Sequence, residues 1–180
     1  MHPPKLRLSV ALAFAVALLA PPLAAQNMLD GLVIAEFQSQ NAGTLLDEDG
    51  DSSDWVELWN PTAATVVVTG WYLTDDPDDL TKWEFPATTL GVDNYLVVFA
   101  SGKDRAVTGA ELHTDFALNK SGGYLALTRL DGMGGIEIVH DFNPFGAQPE
   151  GASFGLVGGA SPAPSGYFTE PTPGAANASS

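Results

Sequence analysis

Short apolar runs separated by turn residues limit most strongly what this chain can fold into. After residue 25, no window of about 11 or more residues repeats its apolar residues at the spacing of a helix. Instead, roughly eight to ten short runs rich in β-branched and aromatic residues are bounded by Gly, Asp and Pro. This pattern predicts an all-β fold, and its proportions favour an immunoglobulin-like antiparallel β-sandwich.

The expected strands differ in how strongly the sequence marks them. Tyr95–Phe99 is the most apolar run and predicts a central strand that is buried on both faces. Leu112–Leu118 is weaker and predicts either a short strand or a bent connection. The glycine-rich link Asp131–Gly135 predicts a hairpin between its two flanking runs. The other runs expected to form strands are Leu32–Phe37, Trp55–Trp59, Thr65–Val68, Trp71–Leu73, Lys82–Phe85, Tyr124–Leu130, Ile136–Phe142 and Ala152–Leu156.

The first 25 residues have the order of a secretory signal peptide. A basic start with Lys5 and Arg7 precedes the apolar run Leu8–Ala20, and small residues follow at Ala24 and Ala25. An uncleaved membrane anchor is the alternative, but the run is shorter than the roughly 20 residues that span a bilayer. We therefore expect cleavage near Ala25 and secretion to the extracellular space, cell surface or periplasm, with no membrane span in the mature chain.

The domain organisation and charge follow from that cleavage. Residues 1–25 form the signal peptide, 26–30 a short lead, 31–177 one β-sandwich domain and 178–180 a disordered tail. The formal net charge is −15, and the loss of Lys5 and Arg7 makes the mature chain still more negative. Such a surface repels phosphates, which excludes nucleic acid as a partner. Because the chain has no cysteine, the domain is held without disulfides.

An acidic loop before the second predicted strand is the best candidate for a metal site. Its four aspartates, with one glutamate as a further ligand, are Asp47, Asp49, Asp51, Asp54 and Glu48. Crowded carboxylates repel one another unless they are solvated, protonated or neutralised by a cation. Their alternate spacing resembles the opening of an EF-hand loop, but Ser52 stands where that loop has glycine. Oxygen-only ligands suit a hard cation, so the sequence predicts one bound calcium ion, with a solvated acidic turn as the alternative.

Several segments, in the same order, resemble the lamin tail domain of exported bacterial proteins. The most specific matching segment is the acidic loop, together with Asp54–Leu58 and Asn60-Pro61, which come directly after it. The other matching segments are Val33–Phe37, Gly70–Asp76, Lys82–Pro86, Phe99–Arg105, Leu112–Thr114 and Pro171–Ala175. The resemblance extends from about Leu32 to Asn177 and implies an immunoglobulin-like sandwich. It does not imply the nuclear role of the animal lamins, which pair this domain with a long coiled coil, nor any particular activity.

Some residues match patterns that are typical of catalytic sites, but a structural role explains each of them better. Ser153 lies in a G-x-S-x-G pattern, but no helix can begin after it, which argues against a serine hydrolase. Glu36, Glu57 and Glu84 lie in predicted strands, so they could supply paired carboxylates for acid–base chemistry. Positions that face solvent, or one glutamate that caps buried backbone groups, explain them more simply.

Aromatic residues and histidines give the remaining candidates. A platform for sugars can be built from aromatics, although a sandwich core needs aromatics too, and the residues concerned are Trp55, Trp59, Trp71, Trp83, Tyr72 and Tyr95. His113 and His140 are far apart in the sequence, which predicts surface or strand histidines rather than a zinc site.

The sequence therefore predicts a secreted, non-enzymatic interaction or structural module that calcium stabilises. Its expected partner is an unidentified protein or a surface glycan. The alternative is a carbohydrate-binding module that uses exposed tryptophans, and a hydrolase built on the strand glutamates is least favoured.

Overall fold

Twelve β-strands and one 3-10 turn form the part of the chain that the structure, a computed structural model, describes: residues 31–159 and 164–177. The strands are β1 (Val33–Gln38), β2 (Asp54–Trp59), β3 (Val66–Val67), β4 (Tyr72–Thr74), β5 (Trp83–Glu84), β6 (Thr89–Leu90), β7 (Tyr95–Ala100), β8 (Leu112–His113), β9 (Gly122–Leu130), β10 (Ile136–Gly146), β11 (Ser153–Leu156) and β12 (Ser165–Phe168). No helix among these residues is long and apolar enough to cross a membrane. The predicted signal peptide at 1–25, lead at 26–30 and tail at 178–180 lie outside the described residues.

The strands form two main sheets. One has six strands in the order β12-β11-β1-β2-β7-β8, and the other has four in the order β10-β9-β4-β5. β3 and β6 form a separate two-stranded sheet. Among the described pairs, β7 with β8 is parallel and the others are antiparallel. The predicted all-β, immunoglobulin-like antiparallel sandwich is confirmed.

The core lies between the two main sheets. Alternate residues of each strand point into this layer, because successive side chains of a strand project to opposite faces. Phe37 of β1 contacts Phe142 and Phe145 of β10, with ring centroids 5.1 and 4.9 Å apart, and so links the sheets. Other buried core residues are Ile34, Val56, Leu58 and Val98 from the six-stranded sheet, and Leu73, Trp83, Leu125 and Leu127 from the four-stranded sheet.

Most predicted strands are present, but one burial prediction is wrong. The first half of β7, Tyr95–Val97, is only half-buried, while Val98 and Phe99 are buried. The reason is that β8 has only two residues, which pair with Val98 and Phe99 and leave the first half of β7 without a neighbour on that side. The sequence also does not predict β6, which has two residues, or β12, which begins with the small residues Ser165 and Gly166.

The C-terminal segment, residues 171–177, packs on the outer side of the six-stranded sheet. Glu36 on β1 and Glu57 on β2 are register partners, so both side chains project to the same face. Both are fully buried, and the C-terminal segment contacts them. Asn177 Nδ2 donates hydrogen bonds to the backbone oxygens of Ala35 and Leu156, each 2.9 Å long. The end of the domain is thereby fastened to its first strand.

Candidate functional site

Asp47 is the structural centre of the acidic loop between β1 and β2. Its side chain is fully buried, and its Oδ1 atom accepts hydrogen bonds from the backbone N–H groups of Asp49 and Asp51, both 3.0 Å long. Its Oδ2 atom accepts a hydrogen bond of 2.6 Å from Ser53 Oγ. Gly50, with a φ of 84°, permits the sharp turn that these contacts require. The loop therefore wraps around one buried carboxylate, while the side chains of Asp49 and Asp51 remain exposed.

The Lys103 ammonium lies between three of the aspartates. Its Nζ atom is 2.7 Å from Asp47 Oδ2, 2.8 Å from Asp49 Oδ2 and 2.9 Å from Asp51 Oδ2. Lys103 lies just beyond the end of β7, and the register of the sheet pairs Asp54 with Ala100. The chain that leaves β7 therefore runs beside the chain that enters β2, which brings Lys103 to the loop. A lysine supplies positive charge where the sequence predicts calcium.

These contacts shift the pKa values of the ion pair. Burial alone would raise the pKa of Asp47, but the hydrogen bonds from Lys103, Ser53 and the loop backbone hold it well below its usual range. The hydrogen bonds to Asp47 and Asp49 raise the pKa of Lys103 above its usual range. Both members of the pair are therefore charged throughout the physiological pH range.

Arg105 brings a second cation to the same loop. Its Nη1 atom is 2.7 Å from Glu48 Oε1, and its Nη2 atom is 2.8 Å from Asp49 Oδ2. Its backbone exchanges hydrogen bonds of 2.9 and 3.0 Å with the backbone of His113, which holds Arg105 beside β8. Lys103 and Arg105 are two of the five basic residues that follow residue 25, and both contact this loop.

The structure brings together three of the predicted calcium ligands and separates one. Asp47, Asp49 and Asp51 each place a carboxylate oxygen in a group whose members lie within 4.8 Å of one another. Asp54 is not in this group, because it is the first residue of β2 and its Oδ1 lies 3.5 Å from the backbone nitrogen of Asn41. Burial raises the pKa of Asp54 to about 6.

Glu48, the further predicted ligand, belongs to a different group with Glu111 and His113. The backbone N–H of Glu48 donates a hydrogen bond of 2.6 Å to Glu111 Oε2. His113 lies on β8, as a strand histidine, but it is fully buried and not at the surface. Its burial lowers its pKa, which favours the neutral imidazole.

Lys103 and Arg105 are site residues that the sequence does not predict. Lys103 and Asp47 are 56 positions apart, so no local pattern connects them. Two features of the sequence could have indicated them. Both residues lie in Phe99–Arg105, a segment that resembles the lamin tail domain, and lysine and arginine are scarce in this chain. A scarce lysine or arginine is expected to pair with the densest cluster of carboxylates.

Ser153 and the strand glutamates hold the C-terminal segment in place. Ser153 is buried in β11, and its Oγ atom donates a hydrogen bond to Glu36 Oε1. Glu36 Oε2 accepts hydrogen bonds from the backbone N–H of Thr172, at 3.1 Å, and from Thr172 Oγ1, at 3.0 Å. Glu57 Oε2 accepts one from the backbone N–H of Gly174. Ser153 thus lies within a strand and not at the strand-to-helix turn that a hydrolase nucleophile needs.

Three of the four tryptophans belong to the interior. Trp55, Trp71 and Trp83 are at most 8% exposed. Trp59 is half-buried and stacks on Tyr95, with ring centroids 6.1 Å apart and planes inclined by 13°. The alternative of a platform of exposed tryptophans therefore retains only Trp59, because the sandwich uses the other three rings for packing.

A comparison with protein families gives a match over more than half of the chain. The family described as Lamin Tail Domain matches residues 29–139. The match ends within β10, so β11, β12 and the C-terminal segment lie beyond it, although β11 and β12 complete the six-stranded sheet. A comparison with curated proteins found no match.

We expect Asp47→Ala to destabilise the domain strongly. The substitution removes the acceptor of four hydrogen bonds, so the free energy of unfolding should fall by about 3 kcal/mol. The melting temperature should fall by about 6 to 12 °C, measured by circular dichroism. Asp78→Ala, at an exposed aspartate, is the matched control. A decrease equal to that of the control would contradict the central role of Asp47.

We expect Glu57→Gln to change how stability depends on pH. Burial raises the pKa of Glu57 to about 8, the Glu36 charge adds to the rise, and the Gly174 hydrogen bond opposes it. Because the folded-state pKa exceeds the usual value, the contribution of Glu57 is fully present below about pH 4.5 and is lost as pH rises through 8. Relative to the parent, the variant should gain about 2 to 4 kcal/mol between pH 5 and pH 8 in urea unfolding. Glu84→Gln, at an exposed strand glutamate, is the control, and parallel curves for Glu57→Gln and the parent would refute the shift.

Proposed function

The chain belongs to the lamin tail domain family, and from this premise we propose that it is a secreted, non-enzymatic interaction or structural module. The family is an immunoglobulin-like, non-catalytic one. Its fold alone does not determine a task, because the same architecture carries many unrelated functions. The contacts of the polar groups in this chain therefore bear on its function more directly than the fold does.

The observation that carries the proposal is that the reactive groups hold the domain together. Ser153 donates its hydroxyl proton to Glu36, and Glu57 binds the backbone of the C-terminal segment. Asp47, the most buried aspartate of the acidic loop, is held by Lys103 and Ser53. A nucleophile or general base must reach a substrate, whereas these groups contact other parts of the same domain. This arrangement favours a rigid module over an enzyme.

Secretion is supported by the order of residues 1–25, which is basic, then apolar, then small. The acidic balance of the chain, at a net charge of −15, favours partners that are neutral or basic and disfavours nucleic acid. The proposed partner is a protein or a glycan at the cell surface. Fractionation of cells that express the full chain, or a chain without residues 2–25, tests the export step: both chains in the cytoplasm would contradict it.

The proposal that the module is not an enzyme is tested by a substrate screen of the purified protein. We expect no turnover of esters, glycosides or phosphodiesters, because Ser153 and Glu57 have internal partners. Ser153→Ala and Glu57→Gln are measured beside the parent to identify contaminating activity. Turnover that either substitution abolishes would overturn the proposal. A glycan array addresses the alternative, and glycan binding that Trp59→Ala abolishes would favour a carbohydrate-binding module.

Calcium binding by the acidic loop remains our proposal for its stabilisation, and it requires Lys103 to move. The three grouped aspartates offer oxygen ligands, which a hard cation prefers. The same oxygens now contact the Lys103 ammonium, so the ion and the lysine compete for them. Calcium also needs six to eight oxygens, so loop carbonyls or water must complete the shell. Weak binding in the parent is the consequence of that competition.

We expect Lys103→Met to strengthen calcium binding, because it removes the competing cation and keeps a side chain of similar length. Titration calorimetry should give at least about a tenfold lower Kd in the variant than in the parent. Thermal melts in EDTA and in millimolar calcium provide a second measurement, with a stabilisation of about 2.7 kcal/mol at a hundred times Kd. Asp49→Ala with Asp51→Ala, added to Lys103→Met, is the control that should remove the effect. Absence of binding in Lys103→Met, or binding that survives the control, would exclude this loop.

A further inference from the structure

A second group of ligating side chains lies beside the aspartates and has a different chemistry. Glu48, Glu111 and His113 each place one ligand atom within 4.8 Å of the other two. They come from three segments, namely the acidic loop, the loop that precedes β8, and β8 itself. Two carboxylates and one imidazole are a donor set that suits zinc and related divalent ions better than calcium.

The His113 ring points an unpartnered nitrogen at this group. The side chain is 0% exposed, yet its Nε2 atom has no hydrogen-bond partner. A buried polar atom without a partner is unusual and needs an explanation. The nearest carboxylate oxygen, Glu48 Oε1, is 3.8 Å away, which is too far for a hydrogen bond. At that distance a small movement of Glu48 would let one metal ion contact both atoms.

The other ring nitrogen is already engaged. His113 Nδ1 lies 2.9 Å from Ser101 Oγ, and the ring stacks on Phe99 with centroids 5.2 Å apart. When Nδ1 donates its proton to Ser101, Nε2 presents its lone pair to the two glutamates. A ligating histidine commonly has its second nitrogen fixed in this way, since the contact sets both tautomer and orientation. The ring of His113 is therefore held as a metal ligand would be held.

From these contacts we propose that Glu48, Glu111 and His113 form a binding site for a divalent transition-metal ion of the zinc type. Two ligands of a tetrahedral ion at about 2.1 Å lie roughly 3.4 Å apart, so small movements of the two exposed glutamates bring the three atoms to an ion. Water fills the fourth position. The bound ion connects the acidic loop to β8 and to the loop before it, and thus acts as a cross-link in a chain without disulfides.

Arg105 is compatible with this site. It contacts Glu48 Oε1 at 2.7 Å, but it also contacts Asp49 Oδ2 at 2.8 Å. When Glu48 turns toward the ion, Arg105 keeps Asp49 as its partner. The site is therefore separate from the three aspartates around Lys103, which offer no nitrogen ligand, and its test does not depend on the proposed function.

The test is a zinc titration of the purified full chain by calorimetry, followed by histidine 15N NMR. We expect one ion per chain at this site, and a shift of the His113 Nε2 resonance while the resonances of His140 remain unchanged. Glu111→Gln keeps the acceptor for the Glu48 N–H but removes the charge, and it should weaken zinc binding by about tenfold or more. Glu48→Gln should act in the same direction.

Two matched variants locate the ion. Glu150→Gln changes an exposed glutamate outside the group, and Asp51→Asn changes the neighbouring aspartate group, so both should leave zinc affinity within about twofold of the parent. Thermal melts of Glu111→Gln without metal establish that the variant is folded. No zinc binding by the parent, an unmoved His113 resonance, or binding that Glu111→Gln does not weaken would each overturn the proposal. A loss with Asp51→Asn alone would place the ion among the aspartates and would also overturn it.

Discussion

The Lys103 ammonium group forms ion pairs with three aspartates of the acidic loop at once. The acidic loop joins β1 to β2, the two strands at the centre of the largest sheet, and it places the carboxylate of Asp47 out of solvent. A buried carboxylate without a partner would destabilise the fold by several kcal/mol. Lys103 removes this penalty because the register of β2 with β7 brings the two loops side by side. The connection between the two central strands thus depends on a cation that follows the neighbouring strand β7.

The domain stabilises its buried carboxyl groups in two different ways, one in the ionised form and one in the protonated form. Around Asp47, positive charge and backbone N–H groups favour the ionised form. Around Glu57, burial and the nearby Glu36 favour the protonated form, and the backbone N–H of Gly174 in the C-terminal segment donates a hydrogen bond to its carboxyl group. Acid therefore weakens the first arrangement and alkali weakens the second. The acidic loop leads into β2 and Glu57 lies within it, so both responses act on the same strand.

The architecture was largely accessible from the sequence, while the pairing within the site was not. Alternation and turn residues identify strands such as β1 and β2, since these properties are local. Short elements such as β6 are stabilised by their partners and leave little local trace. The aspartate cluster was also visible, but its occupant, Lys103, lies far along the chain. The sequence allowed for a glutamate that caps buried backbone groups, but it did not identify Glu36 and Glu57, because the segment that covers them comes from the end of the domain.

The attachment of the C-terminal segment also bears on where this domain ends. The family match stops at residue 139, inside β10, whereas β1 has β11 as its neighbour on the side away from β2. A fragment cut at that boundary would leave β1 with a row of free N–H and C=O groups, and it would uncover two buried glutamates. An open edge of this kind accepts strands from other molecules. A shortened chain would therefore self-associate through its first strand, or would take up a β11-like segment supplied in trans.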